Sequence, residues 1–96
     1  MTRQVILIDG DGARLTAHSV ELDGLQQAVG GYIEGWPYGP QSPTVYVNEE
    51  GLVRQLPVYA YLDGQPVSGP IIALVKSRDL TQRDFETFMR RVRLNS

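Results

Sequence analysis

Gly69-Pro70-Ile71-Ile72-Ala73-Leu74-Val75 is the stretch on which the fold turns. Gly-Pro punctuates the chain, and five apolar residues follow without polar alternation, the pattern of a strand buried on both faces. Such a strand needs a partner on either side and cover above and below. A second run of the same kind, Val5-Ile6-Leu7-Ile8, sits within Arg3–Asp9 near the other end of the chain. That run too reads as a strand buried on both faces, and 71–75 as a central strand.

Working outward, Gly10-Asp11-Gly12 is a turn signal, since glycine supplies positive φ without steric cost and aspartate tolerates it. Beyond it Arg14, Thr16 and His18 alternate with Ala13, Leu15 and Ala17, the period of a half-buried strand, which predicts a hairpin. In Glu21–Val29, Leu22, Leu25, Gln26 and Val29 fall at helical spacing, and Gly30-Gly31 ends the helix. Tyr32–Trp36 reads as a strand stopped by Pro37, and 37–43 with its three prolines reads as a loop. Thr44-Val45-Tyr46-Val47 is a strand of strong β formers. Asn48-Glu49-Glu50-Gly51 is expected to turn it into a second hairpin with Leu52-Val53. Pro57 is expected to open a brief helical turn running to Leu62, ended by Asp63-Gly64. Thr81 with Asp84 approximates a capping box, and Phe85, Phe88, Met89 and Val92 follow on one helical stripe. The fold class is α+β: one domain over residues 1–96. It comprises an antiparallel or mixed sheet of about five to six strands, a short helix, and a C-terminal amphipathic helix packed on one face.

Composition narrows the function. The chain has no cysteine and one histidine, which removes disulfides, thiolate chemistry and any multi-histidine metal site within one chain. Residues 1–75 carry three basic and eight acidic side chains, whereas 76–96 carry six basic and three acidic. An acidic body repels phosphate backbones, so nucleic-acid binding is not expected despite the arginines of the terminal helix. No segment approaches the ~20 apolar residues of a membrane span, and Val5–Ile8 is short for a secretion signal. The expected compartment is therefore the cytoplasm.

Each candidate chemical motif fails on spacing. Asp9 and Asp11 could begin a cation loop, but Ala13, Arg14 and Val20 stand where ligands and the required glycine belong. Gly10-Asp11-Gly12 and Gly30-Gly31 lack the Lys-Ser/Thr of a phosphate loop, and Gly30-Gly31 follows its helix instead of preceding it. Glu49-Glu50 reads as an exposed turn. His18 and Ser19 are strand neighbours pointing to opposite faces, so they make no nucleophile–base pair. No catalytic residue, metal or cofactor is expected.

Several blocks in fixed order carry a resemblance. Val29-Gly30-Gly31-Tyr32-Ile33-Glu34, Val45-Tyr46-Val47-Asn48-Glu49-Glu50-Gly51, Leu56-Pro57 and Gly69-Pro70-Ile71-Ile72 resemble the domain of unknown function 3846 family. Its members are small proteins of phages, plasmids and bacteria. The resemblance spans roughly Val20 to Val75 and implies a fold and a mobile-element context, not an activity. One departure stands out. The family pattern places an asparagine shortly after Leu-Pro, whereas this chain has Val58-Tyr59-Ala60-Tyr61.

What remains is a concentration of tryptophan and tyrosine. Tyr32, Trp36, Tyr38, Tyr46, Tyr59 and Tyr61 fall within 32–61, and such side chains join apolar area to a polar handle. Trp36, Tyr38, Arg54, Tyr59 and Tyr61 are the candidate ligand-binding residues, with Arg54 the cation for an anionic group. Two functions are expected. The first is a non-enzymatic, homo-oligomeric sponge that sequesters a nucleotide-like immune signal. The alternative is a protein-interaction module that inhibits or adapts a host protein. A domain this small gains core by self-association.

Overall fold

The computed structural model describes residues 1–39 and 42–95. Ile71–Leu74 does form the centre of a sheet. Five strands are arranged around it: β1 (Thr2–Asp9), β2 (Gly12–Ser19), β3 (Ile33–Trp36), β4 (Thr44–Asn48) and β7 (Ile71–Leu74), in the order β2-β1-β7-β4-β3. Every pairing is antiparallel. All four residues of β7 are buried, which is why the run carries no polar alternation. The β1–β2 hairpin forms as expected, with Asp9 opposite Gly12 and Thr2 opposite Ser19.

The strand count and the layering differ from expectation. A second sheet of three strands, β6-β5-β8, is built from β5 (Val58–Leu62), β6 (Gln65–Ser68) and β8 (Val92–Leu94). The expected helical turn from Pro57 to Leu62 is β5 instead. Val58-Tyr59-Ala60-Tyr61-Leu62 is rich in strand formers, and Asp63 and Gly64 adopt φ of 50° and 83°. Two consecutive left-handed residues make the hairpin turn whose twist matches its strands. Val92, placed by its spacing on the terminal helix, lies in β8, because α2 (Gln82–Met89) ends at Arg90 and the chain turns back to pair with β5.

Leu52-Val53 is no strand either. Both edges of β4 are already occupied, by β3 and β7. Residues 50–55 instead coil into a single turn, with the Arg54 N–H donating to Glu50 O at 2.8 Å and the Leu56 N–H to Gly51 O at 2.9 Å. The Pro40-Gln41 part of the proline loop lies outside the described residues.

Alternation along the strands sorts the core in two. Ile6, Ile8, Val45, Val47, Ile71 and Ala73 face the small sheet and Phe88 of α2. Val5, Ile72 and Leu74 face α1 (Leu22–Val29) through Leu25 and Val29. The helices thus pack on opposite faces of the large sheet. Helix α1 ends at Gly30, whose φ of 83° lets its N–H return to Gln26 O at 2.9 Å. Helix α2 begins with the capping box: Thr81 Oγ1 accepts the Asp84 N–H at 3.2 Å, and Asp84 Oδ2 accepts the Thr81 N–H at 2.7 Å. Arg78 also donates to both Asp84 oxygens, at 2.8 and 3.3 Å, and foremost by that contact holds the carboxyl well below its usual range. Neither helix is long and apolar enough to cross a membrane.

Candidate functional site

Edges of the two sheets come together on one side of the molecule. There a cleft of ≈ 450 Å³ lies between β3, an edge of the large sheet, and β6, an edge of the small one. Its apolar surface comes from Val47, Val58, Pro66, Val67 and the Trp36 ring. Leu52, 81% exposed at the tip of the 50–55 turn, overhangs it. The charged groups lining it are Glu34 and Glu49; among the described residues no Lys, Arg or His lines it. Glu34 and Trp36 alternate onto one face of β3, so Trp36 Nε1 donates to Glu34 Oε2 at 2.7 Å and the indole is held upright by its own strand.

The wall is positioned by Asn48, a buried polar residue that joins three segments. Its Nδ2 donates to Val29 O at 3.1 Å, tying the end of α1. Its Oδ1 accepts the Glu50 N–H at 2.8 Å, and its carbonyl accepts the Gly51 N–H at 3.1 Å, shaping the turn that carries Leu52. Gly51 sits so tightly against Ser68 that a Cβ would collide with the Ser68 carbonyl, which explains the glycine. Arg54 completes this clamp by donating to Gly30 O at 3.2 Å, where a cation meets the negative end of a helix.

The five sequence candidates are thereby dispersed. Trp36 lines the cleft. Arg54 is turned to the C-terminus of α1. Tyr38 lies under the Arg91 guanidinium, 4.1 Å from the ring centroid, and Arg91 is held by a bidentate pair with Asp63 at 3.0 and 2.7 Å. Tyr59 is half-buried against the main core and borders a separate hollow of ≈ 360 Å³ beside Gly10 and Leu94. Tyr61 is stacked by Arg93 at 4.0 Å. Sequence reasoning missed Asn48, Glu49, Leu52 and Val67. A sequence signal existed for the fold around them: Asp63-Gly64 between two strand-forming runs marks a hairpin, and that hairpin delivers Val67.

Elsewhere acids serve structure. Asp9 takes Arg14 bidentately at 2.9 and 3.0 Å and the Asp11 N–H at 2.9 Å, a closed hairpin turn, and the Arg14 contact lowers its pKa. Glu49 and Glu50 are exposed, as expected of a turn. A third hollow of ≈ 290 Å³ is lined by Arg83, Arg91, Thr87 and Phe88 of the terminal helix region.

No curated protein and no solved structure is significantly similar to this chain. The family comparison is decisive. Residues 1–93 match the model described as a domain of unknown function (DUF3846), a longer match than the Val20–Val75 resemblance, and the chain belongs to that family.

Proposed function

We propose that this protein is an interaction module that captures a basic, apolar segment of another protein in the cleft between β3 and β6. The observation that carries this reading is the lining: an apolar floor and a Trp36 wall, bordered by Glu34 and Glu49 with no cation among the described residues. Desolvated aromatic surface supplies most of the affinity at such sites, and rim charges select the partner and speed its approach. The eight acidic residues of 1–75 extend the same attraction outward. The segment Val58–Tyr61, where this chain departs from the family's polar pattern, contributes Val58 to the floor. Sequestration of an anionic nucleotide has less support. The aromatic cleft would set two carboxylates against the phosphate, and Arg54 is committed to Gly30 O.

The experiment is selection of a random displayed peptide library on the immobilised protein, beside a thermal-shift panel of mono-, cyclic and ADP-ribose-type nucleotides. The expected result is enrichment of sequences combining Lys or Arg with aliphatic or aromatic residues. Trp36→Ala should weaken them by about 2 kcal/mol, roughly 30-fold, and Glu34→Lys with Glu49→Lys should abolish the basic preference. A nucleotide shift that survives Trp36→Ala, with no peptide enrichment, would replace this reading with sequestration.

A further inference from the structure

The two sheets have four outer strands, and three carry devices that discourage pairing. β3 is four residues long and runs into Pro37, β6 contains Pro66, and β8 has three residues. The fourth, β2, is eight residues long with no proline and no register irregularity along its pairing with β1. A long edge without a proline or a bulge is a template for another strand.

We infer that β2 pairs antiparallel with β2 of a second copy of this chain, joining two five-stranded sheets into one. The backbone says which residues face outward. Gln4 sends its N–H to Asp79 Oδ1 at 2.8 Å and its carbonyl to the Leu80 N–H at 3.0 Å, away from β2. Gln4 stands opposite Ala17, so that pair is a non-hydrogen-bonded one, and by alternation the N–H and C=O of Ala13, Leu15 and Ala17 point to the open edge. A two-fold axis at Leu15 sets Leu15 opposite Leu15 of the partner subunit and Ala13 opposite Ala17 of the partner subunit. Each such pair exchanges two hydrogen bonds.

The side chains fit this register and disfavour one of its neighbours. On one face Arg14 meets Thr16 of the partner subunit, and His18 meets Gly12 of the partner subunit, so no like charges oppose. Sliding by two residues one way sets Arg14 opposite Arg14 of the partner subunit, and the other way sets it opposite His18 of the partner subunit. The first slip is disfavoured, since like charges directly opposed are destabilising. On the other face Ala13 and Leu15 are half-buried and share a packed cluster with the half-buried Phe85 and Met89 of α2, which lies against β2. The second copy covers this seam. β2 and β3 are opposite edges of the sheet, so the dimer leaves both clefts open and displays one at each end. That makes the assembly bivalent for a partner with two binding segments.

The test is the mass in solution by sedimentation equilibrium at micromolar concentration. The expected result is twice the 10.7 kDa of the chain. Ala17→Pro removes a donor that faces the open edge and leaves the β1 ladder intact, so it should give a monomer with an unchanged circular dichroism spectrum. Because the chain has no cysteine, Leu15→Cys provides an independent readout of register. Opposed Cα atoms of a hydrogen-bonded pair lie ~5.5 Å apart, within disulfide reach, so mild oxidation should cross-link Leu15→Cys and leave Arg14→Cys uncoupled. A monomeric wild type, a dimer that persists in folded Ala17→Pro, or failure of Leu15→Cys to cross-link would each overturn the proposal. Loss of peptide binding with the dimer intact would overturn only the role assigned to the cleft.

Discussion

Asn48 is where a single side chain decides whether the cleft keeps its shape, and its replacement is the most informative perturbation. The residue is 4% exposed and bonds to both the last turn of α1 and the turn bearing Leu52. Asn48→Ala orphans two groups. Val29 O, at a buried residue, loses its side-chain donor, which costs about 1–3 kcal/mol. The N–H of exposed Glu50 can turn to water, so its loss costs only about 0.5–1.5 kcal/mol. Together the change is about 1.5–4.5 kcal/mol, a large share of the ~5–15 kcal/mol of a whole domain. Asn48→Asp separates the two bonds. The carboxylate still accepts the Glu50 N–H but faces the Val29 carbonyl with a second acceptor, so the variant keeps the turn and loses the tie to α1. Its cost should therefore come from the α1 tie alone, about 1–3 kcal/mol. Urea unfolding followed by circular dichroism, with each variant compared with wild type at the same pH, measures both effects. A cost below about 0.5 kcal/mol for Asn48→Ala, or no cost for Asn48→Asp, would refute the clamp.

Other consequences follow from the same geometry. Thr81→Ala should cost about 1 kcal/mol through loss of the cap of α2, and Asp84→Ala more, since its ion pair with Arg78 is lost as well; thermal unfolding reads both. Because the folded-state pKa of Asp84 is depressed, its contribution is fully present above the ordinary carboxylate range and disappears as the pH falls through and below it. The wild type should therefore lose stability in acid more steeply than Asp84→Ala, as chemical denaturation across that window would record. Gly51→Ala should destabilise by about 1–3 kcal/mol by driving a methyl into the Ser68 carbonyl. Gly30→Ala, with open space around its Cβ, should cost only the about 1 kcal/mol of its left-handed backbone.

Part of the site was legible and part was not, for a reason visible at individual residues. Trp36 was singled out because a tryptophan alternating with Glu34 on a short strand is a local pattern, and the structure keeps both on one face. Arg54 was read as a ligand cation because it stands near aromatic residues in sequence. It contacts Gly30, twenty-four positions away, through a turn that no periodicity announces. Tyr38 and Tyr61 were grouped with it for the same reason, yet each is covered by an arginine from the far end of the chain, Arg91 and Arg93.

The sequence by itself determined the α+β class, the two fully apolar central strands, the β1–β2 hairpin, the capped start of α2 and the family. Each is written in neighbouring residues: continuous apolar runs, strict alternation, and a Thr81–Asp84 box. Only the tertiary structure decided that β7 inserts between β1 and β4, and that β5, β6 and β8 separate into a second sheet. It also decided that Val92 leaves the helical stripe to extend that sheet. Pairing partners are chosen by which edges remain open once the strongest strands have met, and that competition is settled across the whole chain. The cleft exists because Trp36 on β3 and Val67 on β6 come to face each other across two different sheets, a relation carried by no local signal.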